Sequence, residues 1–332
     1  MRGPLFDELR RGRQCHGSFD CRFGGDANLR RCGFRRGPRE LFPGQARIAP
    51  ARRGAGRHGV VWYSGQGSGV LGRLDPKTGK DENIPIGSGS SPHGVIVGPD
   101  GSPWLTDGGL NANVRYDLKT RKFDYFMLPA HLPSANLNTG VFDRDGIYWF
   151  TGQNGVHGYV NPKTGKHESW KSPRRGTYGI TVTPANEVWY VALAGDHLGK
   201  IDKATGHVDI VEPHKKGAGP RRVWSDSKGI LWVSFWHSGE VGRYDPATRT
   251  WKTWLLPGNP GSGCYSVHVD EQDKVWLTDF MTNAIVRFDP ATEKFERFPS
   301  NQRGAQVRQM LSRPGEAWGA ESGNSRLVLV KY

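Results

Sequence analysis

From residue 59 onward, short apolar-alternating runs are separated by polar turns. The stretch "VWYSGQGSGVLGRLDPKTGK" (61–80) reads as a strand, a polar loop, a second strand and a tight turn. In that turn Asp75 can bond its own backbone, Pro76 pre-sets φ and Gly79 tolerates positive φ. "HGVIVGPDGSPW" (93–104) and "YGITVTPANEVW" (178–189) each read as an alternating strand, a turn and a Trp-bearing strand. A single such hairpin has nothing to bury its apolar face against, so the pattern requires neighbours of its own kind.

Those neighbours exist. The Trp strand containing Trp62 recurs at Trp104, Trp149, Trp189, Trp232, Trp276 and Trp318, at spacings of 42, 45, 40, 43, 44 and 42 residues. After each Trp comes a strand such as "VLGRLDP", "NVRYDL", "EVGRYDP" or "AIVRFDP", then a Thr-containing turn. A fourth strand such as "KFDYFMLP" or "KFERFPS" follows. Four short strands in about 40–45 residues make the blade of a β-propeller. Seven copies predict an all-β, seven-bladed β-propeller over 39–332, with large aromatics on the second strands packing between blades.

The ring must close. After Trp318 only "RLVLVKY" remains, enough for a third strand of the last blade and not a fourth. The segment "ELFPGQ" (40–45) resembles "ERFPSNQ" (296–302). Residues 39–43 are therefore expected to form the outer strand of the last blade, which removes an open edge. The inner strand of the first blade is expected within "ARIAPARRGAGRHG".

Charge divides the chain differently. The formal net charge of +14 first suggests nucleic acid or an acidic surface. Residues 1–58, however, hold 14 Arg, no Lys and five acidic residues, whereas the rest uses Lys and Arg equally and is only mildly basic. Residues 1–38 therefore read as an Arg-rich leader, disordered or misassigned, since Arg without Lys also arises from GC-rich coding read in a wrong frame. Nucleic-acid binding is not expected of the propeller. A metal site made of Cys15, His16, Cys21 and Cys32 is the minor alternative for the leader. Cys264 is single in the remainder, and the three leader cysteines lack C-x-x-C spacing. No apolar run approaches the roughly 18 residues of a membrane span. The start carries no continuous apolar signal region. The expected location is cytoplasmic if that start is genuine, and periplasmic if a signal peptide was lost through misassignment. The expected state is a monomer.

The segments "SPHGVIVGPDGSPWLTD" (91–107), "VLGRLDPKTGK" (70–80) and "EVGRYDPATRT" (240–250) carry a resemblance. Their pattern, P-H-G-apolar, D-G-x-x-W-apolar-T-D and apolar-G-R-apolar-D-P-x-T-G, is similar to that of the virginiamycin B lyase (streptogramin lyase) family. It covers residues 59–332. WD40 propellers are disfavoured because no Trp-Asp dipeptide occurs, and gluconolactonase-like propellers match less well. The resemblance implies a lyase that opens cyclic streptogramin B depsipeptides by elimination, an antibiotic-resistance activity, with Mg²⁺ helping to hold the substrate. Nothing in the residues themselves indicates a cofactor. Such chemistry needs a base with a pKa near working pH and electrostatic support for enolate-like charge.

The family sets a His on blade six and a Glu-x-His on blade seven at the channel opening. Carried over, the first falls on Tyr265 and the second on Gln306 and Arg308; residues 303–310 contain neither Glu nor His. Arg stays protonated, Gln cannot ionise, and Tyr would need a pKa far below its usual ~10. The scaffold matches and the family's catalytic set is missing.

Read around the ring, the equivalent inner-strand position gives His93, Thr139, Tyr178, Arg221, Tyr265 and Arg308, with Asn138 and Arg222 adjacent. Arg forks and Tyr faces at one mouth suit a planar or carboxylated small molecule, and the resemblance adds a cyclic peptide; a channel lined with polar residues around water is the plainer reading. His93 and Tyr265 are the candidates for acid–base work, a structural His93 being the competing one. Trp224 and Trp236 are candidate lining residues. Asp107 and Asp279 are candidate metal ligands or caps for loop backbone donors. Three functions stay open: a lyase with an altered site, a non-catalytic or differently reactive propeller binding an anionic small molecule or cell-envelope ligand, and a protein-interaction platform.

Overall fold

In the computed structural model, residues 39–43 and 47–50 are described as backbone, and 59–132, 134–258 and 263–332 with side chains. The leader, with Cys15, His16, Cys21 and Cys32, lies outside the described residues. Among those described, 28 strands form seven four-stranded antiparallel sheets. The innermost strands are Arg47–Pro50, Pro92–Val97, Leu137–Phe142, Thr177–Val182, Pro220–Ser225, Cys264–Val269 and Val307–Arg313, which number blades one to seven. Each packs against the next, and Val307–Arg313 packs against Arg47–Pro50, so the ring is closed. No helix among the described residues is long and apolar enough to cross a membrane.

Closure follows the expected route. Arg39–Pro43 pairs antiparallel with Arg326–Lys331, the third strand of blade seven, with Arg39 opposite Val330 and Pro43 opposite Arg326. The opening turn also forms as its residues dictate. Asp75 Oδ1 accepts from Lys77 N at 2.9 Å, Gly79 N donates to Asp75 O at 2.8 Å, and Gly79 has φ +71°.

All seven repeated tryptophans are buried, each between its own blade and the following one. Trp232 packs with Val267, Val275 and Phe288 of blade six. Trp318 packs with Val61, Tyr63 and Leu74 of blade one, so the last interface matches the others. Burial of an indole N–H requires an acceptor, and the preceding turn supplies it. Trp149, Trp232 and Trp276 donate to Asp143, Asp226 and Asp270, six residues upstream, at 3.0, 3.0 and 2.8 Å. Trp318 and Trp189 use Glu316 and Glu187, two residues upstream.

A second device ties the blades near the axis. Two residues after the Trp, Ser64, Thr106, Thr151 and Ser234 each donate to an inner-strand carbonyl of the next blade: His93, Asn138, Tyr178 and Tyr265 respectively. Neighbouring backbones approach so closely here that a Cβ on Gly94 would stand 2.6 Å from the Asn138 carbonyl oxygen. Glycine in P-H-G is thus a requirement of ring packing.

Candidate functional site

Six inner strands open with the same irregularity. Pairing to the second strand breaks after the first residue, as between Pro92 and Val95 or Thr177 and Ile180, and then resumes. Such a bulge re-aims the side chain that follows. The first residues, Pro92, Leu137, Thr177, Pro220, Cys264 and Val307, stand opposite the third residue after each Trp. The level positions are therefore His93, Asn138, Tyr178, Arg221, Tyr265 and Arg308. Thr139 is one step further in, level with Arg222. The sequence reading misses this step because blade three has Asn-Thr where blades two, four and six have one large side chain followed by Gly or Ser.

Most of these residues form one connected cluster. The Tyr178 and Tyr265 phenol oxygens stand 2.9 Å apart. Arg221 lies among aromatic rings, its Cζ 3.7 Å from the Tyr265 centroid, 4.4 Å from Trp236 and 4.9 Å from Tyr178. Its Nη2 donates to the Tyr178 phenol oxygen at 3.1 Å. Phe280 stacks on Tyr265 at 5.2 Å and meets Trp236 edge-on. Trp236 thus joins the mouth. Trp224 does not: it lies deeper, against His268 at 4.5 Å and against hydrophobic clusters of blade six and of blades one and two.

Arg222 is 4% exposed and its Cζ lies 4.9 Å from the Tyr178 centroid. Its Nη1 donates to Thr139 Oγ1, Tyr265 stands beside the guanidinium, and Nε and Nη2 meet no carboxylate among the described residues. Neither Arg221 nor Arg222 forms an ion pair among the described residues. Burial lowers the Arg222 pKa from the ordinary arginine value, and Tyr178 opposes that shift. A guanidinium stays charged even so. A buried charge without a counter-charge is costly to keep.

His93 is held at both nitrogens by one neighbour. Its Nδ1 is 2.7 Å from the Asn138 carbonyl oxygen, an acceptor, so Nδ1 carries the proton. The Nε2 lone pair then receives Asn138 Nδ2 at 3.2 Å. That arrangement suits a structural histidine. Gln306 and Arg308 do not join the cluster through any of these contacts. Gln306 is exposed, with φ +51°, before its strand begins, and Arg308 Nε donates to Ser322 Oγ at 2.8 Å.

The implied Mg²⁺ finds no fitting donor set. Asp107 Oδ1 accepts from the backbone of Ser91, Gly109 and Leu110, and its Oδ2 from Ser90. Asp279 caps Thr282 N and faces Arg297. No trio of His, Cys, Asp or Glu among the described residues is placed for a metal. The mouth presents guanidinium groups, where Mg²⁺ asks for oxygen anions.

The architecture defines a seven-bladed β-propeller with a polar opening at its axis. Residues 83–331 match the Virginiamycin B lyase family, and the chain belongs to that family. Virginiamycin B lyase from Staphylococcus aureus, in selenomethionine form, superposes with a TM-score of 0.79 at 17% identity, covering 89% of this chain and 99% of that one. A streptogramin B lyase structure gives 0.79 at 19% identity, covering 89% and 97%. Hydrazine synthase from Kuenenia stuttgartiensis gives 0.71 at 12%, covering 88% and 96%. At such identities the likeness shows the fold alone. No curated protein sequence matches significantly.

Proposed function

We propose that this propeller binds a small planar anion at the mouth, with the acid group on Arg222 and Arg221 and the ring system against the half-buried Trp236. One observation carries the reading: Arg222 is almost wholly buried and charged, and no carboxylate among the described residues meets its Nε or Nη2. A carboxylate or phosphate ligand supplies the missing partner through a bidentate fork. Benzoate titration, followed by tryptophan fluorescence, tests it. Binding that disappears in Arg222→Ala is expected; unchanged binding in that variant overturns the assignment.

Family membership favours a second reading, elimination on a cyclic depsipeptide. A solved relative, a catalytically inactive His-to-Ala virginiamycin B lyase from Staphylococcus aureus, holds quinupristin. In this chain the work of a base would fall to Tyr265, paired with Tyr178, because His93 is tied to Asn138. Incubation with virginiamycin B decides it. Elimination opens the ring without a change of mass, and hydrolysis adds water. No ring opening is expected here; a linear product of unchanged mass would favour the lyase.

A further inference from the structure

The loops on the mouth face are almost bare of acid. Along that face, the described loops between second and third strands and between blades hold Arg174, Arg175, Lys215, Lys216 and Arg303 against only Asp196 and Glu212. Carboxylates collect instead in the turns at the opposite ends of the strands, such as Asp75, Asp117, Asp143, Asp202, Asp226, Asp245, Asp270 and Asp289.

Both acids in those loops are already engaged, and Glu240 at the adjoining strand end pairs with Lys215. Glu212 accepts from Nη1 and Nη2 of Arg174, and Asp196 accepts from Gly217 N and Gly219 N. Those bonds tie together loops 172–176 and 212–219, which lead into the inner strands bearing Tyr178 and Arg221. Arg175 and Lys216 are exposed and form no ion pair among the described residues. Arg175 stands three positions before Tyr178, so their Cα atoms lie within about 10 Å. Beside Arg175 runs a shallow groove of about 290 Å³, lined also by Gly155, Lys171, Ser172 and Arg174.

We infer that the ligand carries two separated acid groups, one seated on Arg222 in the mouth and the other on Arg175 and Lys216 at the rim of blades four and five. This rests on the anion-binding reading of the mouth and names the ligand class more closely. The buried Arg222 orients the first acid group. The rim cations draw the molecule in by a field that salt weakens and hold its second acid group in solvent.

Benzoate, terephthalate and biphenyl-4,4′-dicarboxylate, titrated by calorimetry into the full chain, test the inference. At least one dicarboxylate is expected to bind about tenfold more tightly than benzoate. In high salt, where the rim field is screened, Arg175→Ala with Lys216→Ala should erase that advantage and leave benzoate binding unchanged, whereas Arg175→Lys should keep most of it. Both substituted residues are exposed, so the fold is not at stake. Equal affinity for one and two acid groups, or an advantage that survives the double variant, overturns the two-acid ligand alone. Absence of benzoate binding, or benzoate binding insensitive to Arg222→Ala, removes the reading of the mouth as well.

Discussion

The phenol oxygens of Tyr178 and Tyr265 meet at 2.9 Å although they belong to blades four and six. Arg221 of blade five packs against both rings, so three consecutive blades share one polar contact at the axis. Its parts can be separated by substitution.

Tyr265→Phe removes one phenol and leaves the surface beneath Arg221. A loss of about 1 kcal/mol in urea denaturation is expected. Tyr265→Ala also removes the ring, 1% exposed in the native protein, and should cost about 3–5 kcal/mol. Equal losses for the two variants would show that Arg221 draws nothing from the ring.

Arg222→Met replaces an uncompensated buried charge by an apolar chain of similar length. Stability should stay level or rise by up to about 2 kcal/mol, while benzoate binding is lost. Paired denaturation and titration measure both. A drop of several kcal/mol would mean that Arg222 is a structural strut.

Asp270→Ala leaves the buried Trp276 indole N–H without its acceptor and also strips the turn donors Gln272 N and Lys274 N. A cost of about 2–3 kcal/mol is expected. Asp289→Ala, in an exposed turn, should cost far less. Thermal unfolding of the two variants side by side checks the contrast.

His157 is fully buried on blade three, with Nε2 donating to the Gly206 carbonyl and Nδ1 accepting from Ser172 Oγ. Burial lowers its pKa from the ordinary histidine value. The unfolded chain then binds the proton more readily, so this group's stabilisation is present above about pH 6.5 and is lost as pH falls toward the folded value. The urea midpoint should fall between pH 7.5 and pH 5.5, and His157→Gln should flatten that dependence. His197, lowered by burial in the same direction, accounts for a remaining slope.

A chain beginning at residue 39 should be as stable as the whole. One beginning at residue 47 lacks the strand that covers Arg326–Lys331 and should melt earlier and self-associate through that open edge. Calorimetry and light scattering on the two chains test this.

The architecture was legible because each blade repeats one indole at one place, and the blade-to-blade contact demands it each time. The closing strand was legible from the likeness of "ELFPGQ" to "ERFPSNQ". The mouth was legible as a set of residues and less so as a geometry. The bulge after the first inner-strand residue sets Asn138, and not Thr139, level with Tyr178. Distance along the strand takes Trp224 below the opening that Trp236 reaches from its loop. That Arg222 meets no carboxylate among the described residues depends on what fails to come near it in space, which no local pattern records. The Asp six residues before Trp149, Trp232 and Trp276 was visible as a pattern; its meaning as an indole acceptor needed the turn's shape.

Because Arg39–Pro43 completes the blade made by residues 307–331, that sheet cannot form until two segments nearly three hundred positions apart have both been synthesised. Middle blades consist of neighbouring segments and can assemble in the order they leave the ribosome. The final sheet must wait for Arg326–Lys331 and then recover a strand synthesised long before. Until then two unpaired edges stand exposed in the cell, and that interval is when the molecule is most open to pairing with another chain.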